Sequence, residues 1–315
     1  MDKNHPIKRI NRLIARSMFF VFQAVIRLFP YPVFRIIFWI FIPFGYCFML
    51  VKKGFVMGNL RTAFGNEKSE PELKKIAIDY FYYWGKGMIE LIYLLNRPKK
   101  IVENVSIEGL KNLEKALSFQ KGAIIVSAHF GSFIAMYLRI IQQGYKTNVV
   151  MRRMRDNVFE DYISELRRKL GIQTIYALPQ RQCIQESIKA LRRNELLFML
   201  MDQNFGGEGG VFVDFMGKKA STAPGAMVFA KRTKAPVIPM FIRRDGKDSY
   251  KIIIEPEMTL EEGEDDKRSI ELNVAKATKI IEKYVREYPH EWGGWMHKRW
   301  KTEYSEFPSD DTKEQ

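Results

Sequence analysis

From about Ile101 onward, short apolar runs alternate with longer stretches whose apolar positions recur every three to four residues. This pattern predicts strands near 102–107, 123–127, 147–151, 172–176, 195–200, 236–242 and 250–255. Helices are predicted near 110–118, 132–143, 157–170, 181–193, 224–233 and 267–287. Strands alternating with helices imply an α/β domain, with a mostly parallel central sheet flanked by helices. Asp245-Gly246, between the last two strands, is a hairpin signal and predicts that this pair is antiparallel.

The first hundred residues follow another pattern. Residues 1–16 are polar and basic, with Lys3, Lys8, Arg9, Arg12 and Arg16. From Ser17 to Val51 the chain is apolar and aromatic, interrupted by Arg27, Pro30, Pro32, Arg35 and Pro43. Its longest charge-free run, Ile36 to Val51, is short of the roughly 20 residues that a spanning helix needs. No small-residue cleavage site follows it, which argues against a removable signal peptide. Many Phe and Trp beside basic flanks predict an N-terminal apolar helical membrane anchor, spanning with tilt or lying in the interface. A pair of buried core helices is the alternative. Residues 58–66, GNLRTAFGN, are expected to be a connecting turn, and Ser69-Glu70-Pro71-Glu72 to open a long helix through a capping box. The expected organisation is 1–57 for the basic N-terminus and anchor helices, 58–302 for the α/β domain (58–98 its leading helix), and 303–315 for a polar tail.

Composition narrows the function classes. Over 315 residues the formal net charge is +15, which suggests an anionic partner. Neither zinc-finger spacing nor an aromatic RNP-type strand is present, so no nucleic-acid partner is expected. The two cysteines, Cys47 and Cys183, form no motif, which argues against a disulfide framework and a Cys-rich metal site.

His129 stands where the buried run Ala123–Val126 has just ended and a helix begins. Ligands collect at the carboxyl ends of strands in α/β sheets, and N–H groups opening the next helix stabilise an anion there. A histidine that merely caps the turn is the structural alternative. Three further clusters stand out. Arg152, Arg153 and Arg155 sit at a strand-to-helix turn and suit a phosphate or carboxylate, whereas a solvated basic loop would look the same. Asp202-Gln203-Asn204 ends an apolar strand and precedes a glycine-rich stretch that permits close backbone approach. Trp292, Trp295 and Trp300 alternate with His297, Arg299 and Lys301, a pattern that fits an interface with membrane or nucleic acid, or simple packing of the C-terminus. There is no P-loop.

Taken in order, these segments resemble the lipid A late acyltransferases (lauroyl/myristoyl type), within the glycerolipid and lysophospholipid acyltransferase superfamily. GNLRTAF resembles the family's Asn-Leu-Arg segment and SAHFGS its Ser-x-His-Phe-Gly-Asn motif. Arg153 and Asn157 match an Arg-x-x-x-Asn element, and Arg168 a later arginine. MDQNFGGEGGVFVDFMGKKASTAPG follows the family's Asp-Gln to Thr-x-x-Gly block, and WMHKRWKT its C-terminal signature. The resemblance implies an enzyme at the cytoplasmic face of the bacterial inner membrane. It would move a fatty acyl group from acyl carrier protein or acyl-CoA to a lipid hydroxyl, a lipid A precursor being the default acceptor, without a metal or cofactor. His129 and Asp202 are then the candidate catalytic residues, and Ser132, Arg153, Asn157, Arg168 and Gln203 the candidate substrate-binding residues.

One position departs from the family pattern. The motif is His-x-x-x-x-Asp/Glu, and here the fifth residue after His129 is Ile134. By analogy with the serine protease triad, loss of the orienting carboxylate costs roughly 10⁴-fold, or about 5–6 kcal/mol of barrier. Three readings follow. A carboxylate from elsewhere reaches His129, with Asp202 the first candidate and Asp214 and Glu208 next; the acceptor is a more acidic group; or the chain has lost catalysis and kept lipid or carrier binding.

Overall fold

In the computed structural model, residues 52–96, 103–206, 209–246 and 249–302 are described, together with scattered positions between 13 and 33. A seven-stranded sheet forms the centre. Its strands are β1 (Val105–Glu108), β2 (Ala123–Ser127), β3 (Thr147–Met151), β4 (Ile172–Tyr176), β5 (Leu196–Leu200), β8 (Val237–Arg244) and β9 (Tyr250–Ile254), in the order β1-β9-β8-β2-β5-β3-β4. Strands β8, β2, β5, β3 and β4 are mutually parallel. β9 runs antiparallel to β8 across the turn at Asp245-Gly246, and β1 pairs parallel with β9.

Strand β2 lies inside the sheet, and all five of its residues are buried. A strand covered on both faces has no polar side to show, hence the unbroken Ala-Ile-Ile-Val. Its side chains still divide by parity. Ile124 and Val126 join one apolar cluster with Leu191, Met227 and Ile281; Ala123 and Ile125 join another with Leu113, Met136 and Ile140. Helices α2 (Leu110–Ser118) and α3 (Phe133–Gln142) therefore cover one face. Helices α5 (Gln180–Arg192), α6 (Gly225–Thr233) and α7 (Asp266–Glu287) cover the other. Helix α4 (Asn157–Lys169) follows β3, its first turn capped by Asp156 accepting from the Phe159 N–H at 3.0 Å. Each fully buried Leu, Ile or Phe contributes about 1.5–3 kcal/mol, so the two clusters hold the sheet rigidly between helical layers.

The leading helix α1 spans Glu70–Asn96. Its start is a capping box, with the Ser69 N–H and hydroxyl both donating to Glu72 Oε2, at 2.8 and 2.6 Å. Tyr80 and Phe81 are buried against the core rather than facing solvent.

Three expectations need correction. The segment 58–66 is mostly not a turn, because residues 52–64 form a helix. Val56, Met57, Leu60, Ala63 and Phe64 are buried in it, the spacing of one apolar face, and Gly58 is simply tolerated where space is open. A separate antiparallel hairpin, β6 (Val211–Phe215) and β7 (Lys218–Thr222), was not expected. Its loop is Met216-Gly217, both at positive φ, a turn usually announced by Asn-Gly or Asp-Gly. The third correction concerns the membrane anchor and the inner-membrane placement that followed from it. Among the described residues no helix is long and apolar enough to cross a membrane. The stretch that raised the expectation, 17–51, lies largely outside the described residues, as do the tail 303–315 and Glu208.

The C-terminal tryptophans pack inward. Trp292 and Trp295 are fully buried, edge to face at 4.6 Å. Their turn is bonded onto the exit of β2, with the Gly131 N–H donating to the Glu291 carbonyl at 3.0 Å and the Gly293 N–H to the His129 carbonyl at 2.7 Å. Gly131 has φ +50, and a Cβ there would stand 2.6 Å from the Ile242 carbonyl oxygen. Gly131→Ala should lower stability by about 1–3 kcal/mol, seen as a lower midpoint in thermal unfolding, because both the torsion and the space oppose a side chain.

Candidate active site

The sheet register brings two remote residues together. β2 and β5 are parallel neighbours with Ser127 opposite Leu200, and the Met201 N–H extends the ladder to the Ser127 carbonyl at 3.0 Å. His129 lies two residues beyond β2 and Asp202 two beyond β5. Both therefore emerge at the carboxyl edge, side by side.

Asp202 Oδ1 accepts from His129 Nδ1 at 2.8 Å, and Oδ2 accepts from the His129 backbone N–H at 3.1 Å. Trp292 Nε1 donates to the same Oδ2 at 2.8 Å. The Asp202 side chain has no exposed surface, whereas that of His129 is 29% exposed. Burial alone would push the Asp202 carboxyl up. The imidazolium charge of His129 and the three N–H donors outweigh it and hold Asp202 below its ordinary value. Burial likewise opposes the imidazolium, and the Asp202 charge wins again, holding His129 above its ordinary value. With Nδ1–H committed to the carboxylate, Nε2 is the ring nitrogen whose lone pair can accept a proton.

His129 lines a pocket of about 210 Å³ with Ser132, Phe133, Ile134, Tyr83, Trp84 and His297 among its walls. Ser132 is the N-cap position of α3, and its side chain makes no cap bond. The N–H groups of the first turn of α3 thus open beside His129 without intrahelical partners. Ile134, the second residue of α3, packs against the apolar cluster beneath the helix while still lining the pocket. Gln203 Nε2 lies 3.3 Å from each ring nitrogen of His129 and 3.0 Å from His297 Nε2, so its amide bridges the two imidazoles. Burial and the neighbouring His129 keep His297 below its ordinary value.

The remaining candidates lie elsewhere. Arg153 is exposed, donates to Asp161 at 2.6 Å and lies over the Tyr176 ring. Asn157 is exposed at the start of α4, and Arg168 is exposed and paired with Glu165 by two bonds of 2.7 Å. None of the three touches His129. Asp214 is on β6, half-exposed and paired with Lys219 at 3.3 Å. Among the described residues no group of three or more His, Cys, Asp and Glu converges as metal ligands would.

Several residues at the pocket had no distinct signal in the sequence. Trp292 stood out as one of a cluster of tryptophans, but not as a donor to Asp202. Glu291 is buried in the pocket wall, and both its oxygens accept the Arg244 N–H at 3.0 Å. Burial lifts its carboxyl to about 7 against the pull of that N–H and the Arg244 guanidinium. Arg244 in turn donates to the buried Glu90 at 2.9 Å. Only the pairing of β8 with β2 and the packing of α1 bring these together.

The model of the bacterial lipid A biosynthesis acyltransferase family matches residues 3–302. The chain belongs to this family. The lipid A biosynthesis lauroyltransferase of Escherichia coli (strain K12) is 26% identical over 269 residues, covering 83% of each chain. The palmitoleoyltransferase of lipid A biosynthesis from the same strain is 24% identical over 260 residues, covering 81% of this chain and 80% of its own. A lipid A biosynthesis acyltransferase of Haemophilus influenzae is 31% identical over 166 residues, about half of either chain. The protein is an acyltransferase acting on a lipid-type substrate.

The coupled pair makes a direct prediction. Followed by NMR, the His129 imidazole should titrate above the ordinary value of about 6.5. In Asp202→Asn it should fall to that value or below, since burial then acts without the opposing charge.

Proposed function

We propose that this acyltransferase moves a fatty acyl group from a thioester donor, acyl carrier protein or acyl-CoA, to a hydroxyl of a lipid A precursor. The contact between His129 Nδ1 and Asp202 carries the reading. Nε2 of His129 takes the proton of the acceptor hydroxyl as oxygen attacks the thioester carbonyl. Asp202 holds the reactive tautomer and offsets the imidazolium charge that develops. The carbonyl oxygen becomes an oxyanion, for which the free N–H groups at the start of α3 are the available donors. Collapse expels the thiolate, and His129 returns its proton to sulfur. No acyl-enzyme is formed. The relatives' names supply lipid A biosynthesis and the transfer of a fatty acyl group, the family resemblance supplies the thioester donor and the hydroxyl, and the local chemistry belongs to the dyad.

On this reading Asp202 supplies what Ile134 cannot. The alternative of a chain that has lost catalysis rests on Ile134, and the carboxylate in contact with His129 supports the active reading against it.

With labelled acyl donor and lipid A precursor, His129→Ala should cut transfer to a small residual rate, roughly 10³-fold or more below the wild type. Ile134→Glu should give no gain, because Nδ1 already has its carboxylate; a large gain would show that Asp202 is not the orienting group. The rate should rise with pH through the imidazole titration, since only neutral His129 accepts a proton. In Asp202→Asn that limb should move to lower pH while the plateau falls roughly 10³–10⁴-fold. An unshifted limb would contradict the proposal.

A further inference from the structure

A second concavity of about 730 Å³ is lined in part by the C-terminal segment from Lys298 to Thr302. Lys218 and Lys219, from the start of β7, face it from one wall, and Lys298 and Lys301 from the C-terminal segment. Asp214 neutralises Lys219 at 3.3 Å. Among the described residues Lys218, Lys298 and Lys301 form no ion pair with a carboxylate. The four lysines are exposed, and like charges gathered around one hollow raise the local positive potential. An anion of more than one charge offsets that potential, which a scattered set of surface lysines would not ask for.

Neutral groups complete the cleft. Thr302 Oγ accepts from Asn204 Nδ2 at 2.9 Å, so its own O–H is left to donate. Asn59 also lines the cleft, and its amide is spent on the Trp295 and His297 carbonyls at 2.8 and 3.1 Å. These bonds fix the wall relative to the catalytic segment. The Asn204–Thr302 bond ties it to the strand exit carrying Asp202 and Gln203, and the Asn59 bond to His297. A short turn thus sets His297 into the His129 pocket and Lys298 and Lys301 into the cleft.

We infer that the cleft bounded by Lys218, Lys219, Lys298 and Lys301 is a phosphate-binding site that holds a phosphate group of one of the two substrates while His129 acts. It rests on the acyl-transfer reading only for the identity of the phosphorylated molecule. Both the acyl donor and the lipid acceptor can bring such a group, and the shared chemistry is a phosphomonoester or diphosphate dianion held by ammonium groups.

Calorimetric titration with inorganic pyrophosphate tests the site without requiring turnover. The full chain should bind it, more weakly as salt is raised, and His129→Ala should bind it equally. The double variant Lys298→Ala/Lys301→Ala should lose about tenfold or more in affinity, and Lys298→Arg/Lys301→Arg should keep most of it. In steady-state assays the alanine pair should raise the KM of one substrate about tenfold with kcat within about twofold. A rise for the donor assigns the phosphate to the donor, and a rise for the acceptor assigns it to the acceptor. Absence of pyrophosphate binding, or equal binding by the alanine pair, overturns the proposal. So does a result in which pyrophosphate does not bind but an acidic carrier protein does and loses affinity in the alanine pair, which would make this a protein-docking surface. If pyrophosphate binding behaves as expected while no acyl transfer is found with any acceptor, the cleft stands and the functional reading falls.

Discussion

A buried carboxylate must find donors or lose its charge, and Asp202 has found three. Two come from His129, ring and backbone, and one from the indole of Trp292. Those groups belong to the exit of β2 and the C-terminal turn, while Asp202 belongs to the exit of β5. One side chain therefore ties together three segments far apart in sequence. Desolvation pulls the pair toward neutrality, and the mutual charge and hydrogen bonds pull toward the ionised form; the second effect is the larger for both partners. The consequence is a histidine that holds a proton more tightly than an ordinary imidazole, which under the proposed function makes it a stronger base.

The arrangement also explains why Ile134 is tolerated. A carboxylate at the second residue of α3 would sit at the positive end of that helix and could serve the imidazole from there. Here the position packs apolar surface, and the carboxylate that contacts the imidazole comes from the neighbouring strand exit. The exchange needs the parallel register of β2 and β5, which places residues two beyond each strand side by side.

Much of the sheet could be read from the sequence because buried parallel strands are short apolar runs and the covering helices are amphipathic. The helix at 52–64 was obscured by Gly58 and the Gly65-Asn66 stop, although its buried positions follow helical spacing. The β6–β7 hairpin lacked a turn dipeptide that declares itself. At the site, His129 and Asp202 were each visible as residues ending strands, and the proximity of Asp202 was one of three candidates. The role of Trp292 was hidden because a tryptophan in an apolar cluster looks the same whether or not its N–H has a buried acceptor. Arg153, Asn157 and Arg168 match motif positions, yet all three lie on the exposed surface, Arg153 paired with Asp161 and Arg168 with Glu165. Motif spacing specifies a place along the chain and not the side chains it will face.

Part of the positive charge gathers in the lysine cleft beside the C-terminal segment, while the first 53 residues carry another large share. The pocket of His129 and the lysine cleft are both lined by the segment from His297 to Thr302, which Arg299 anchors to the core through the Gln203 and Ser221 carbonyls. The central claim is that His129 and Asp202 act as one unit. A double-mutant cycle on the transfer rate, with His129→Ala, Asp202→Asn and the two combined, tests it most directly. The account predicts that the double variant is no slower than His129→Ala alone. Multiplication of the two single losses would show that Asp202 acts independently of His129 and would contradict it.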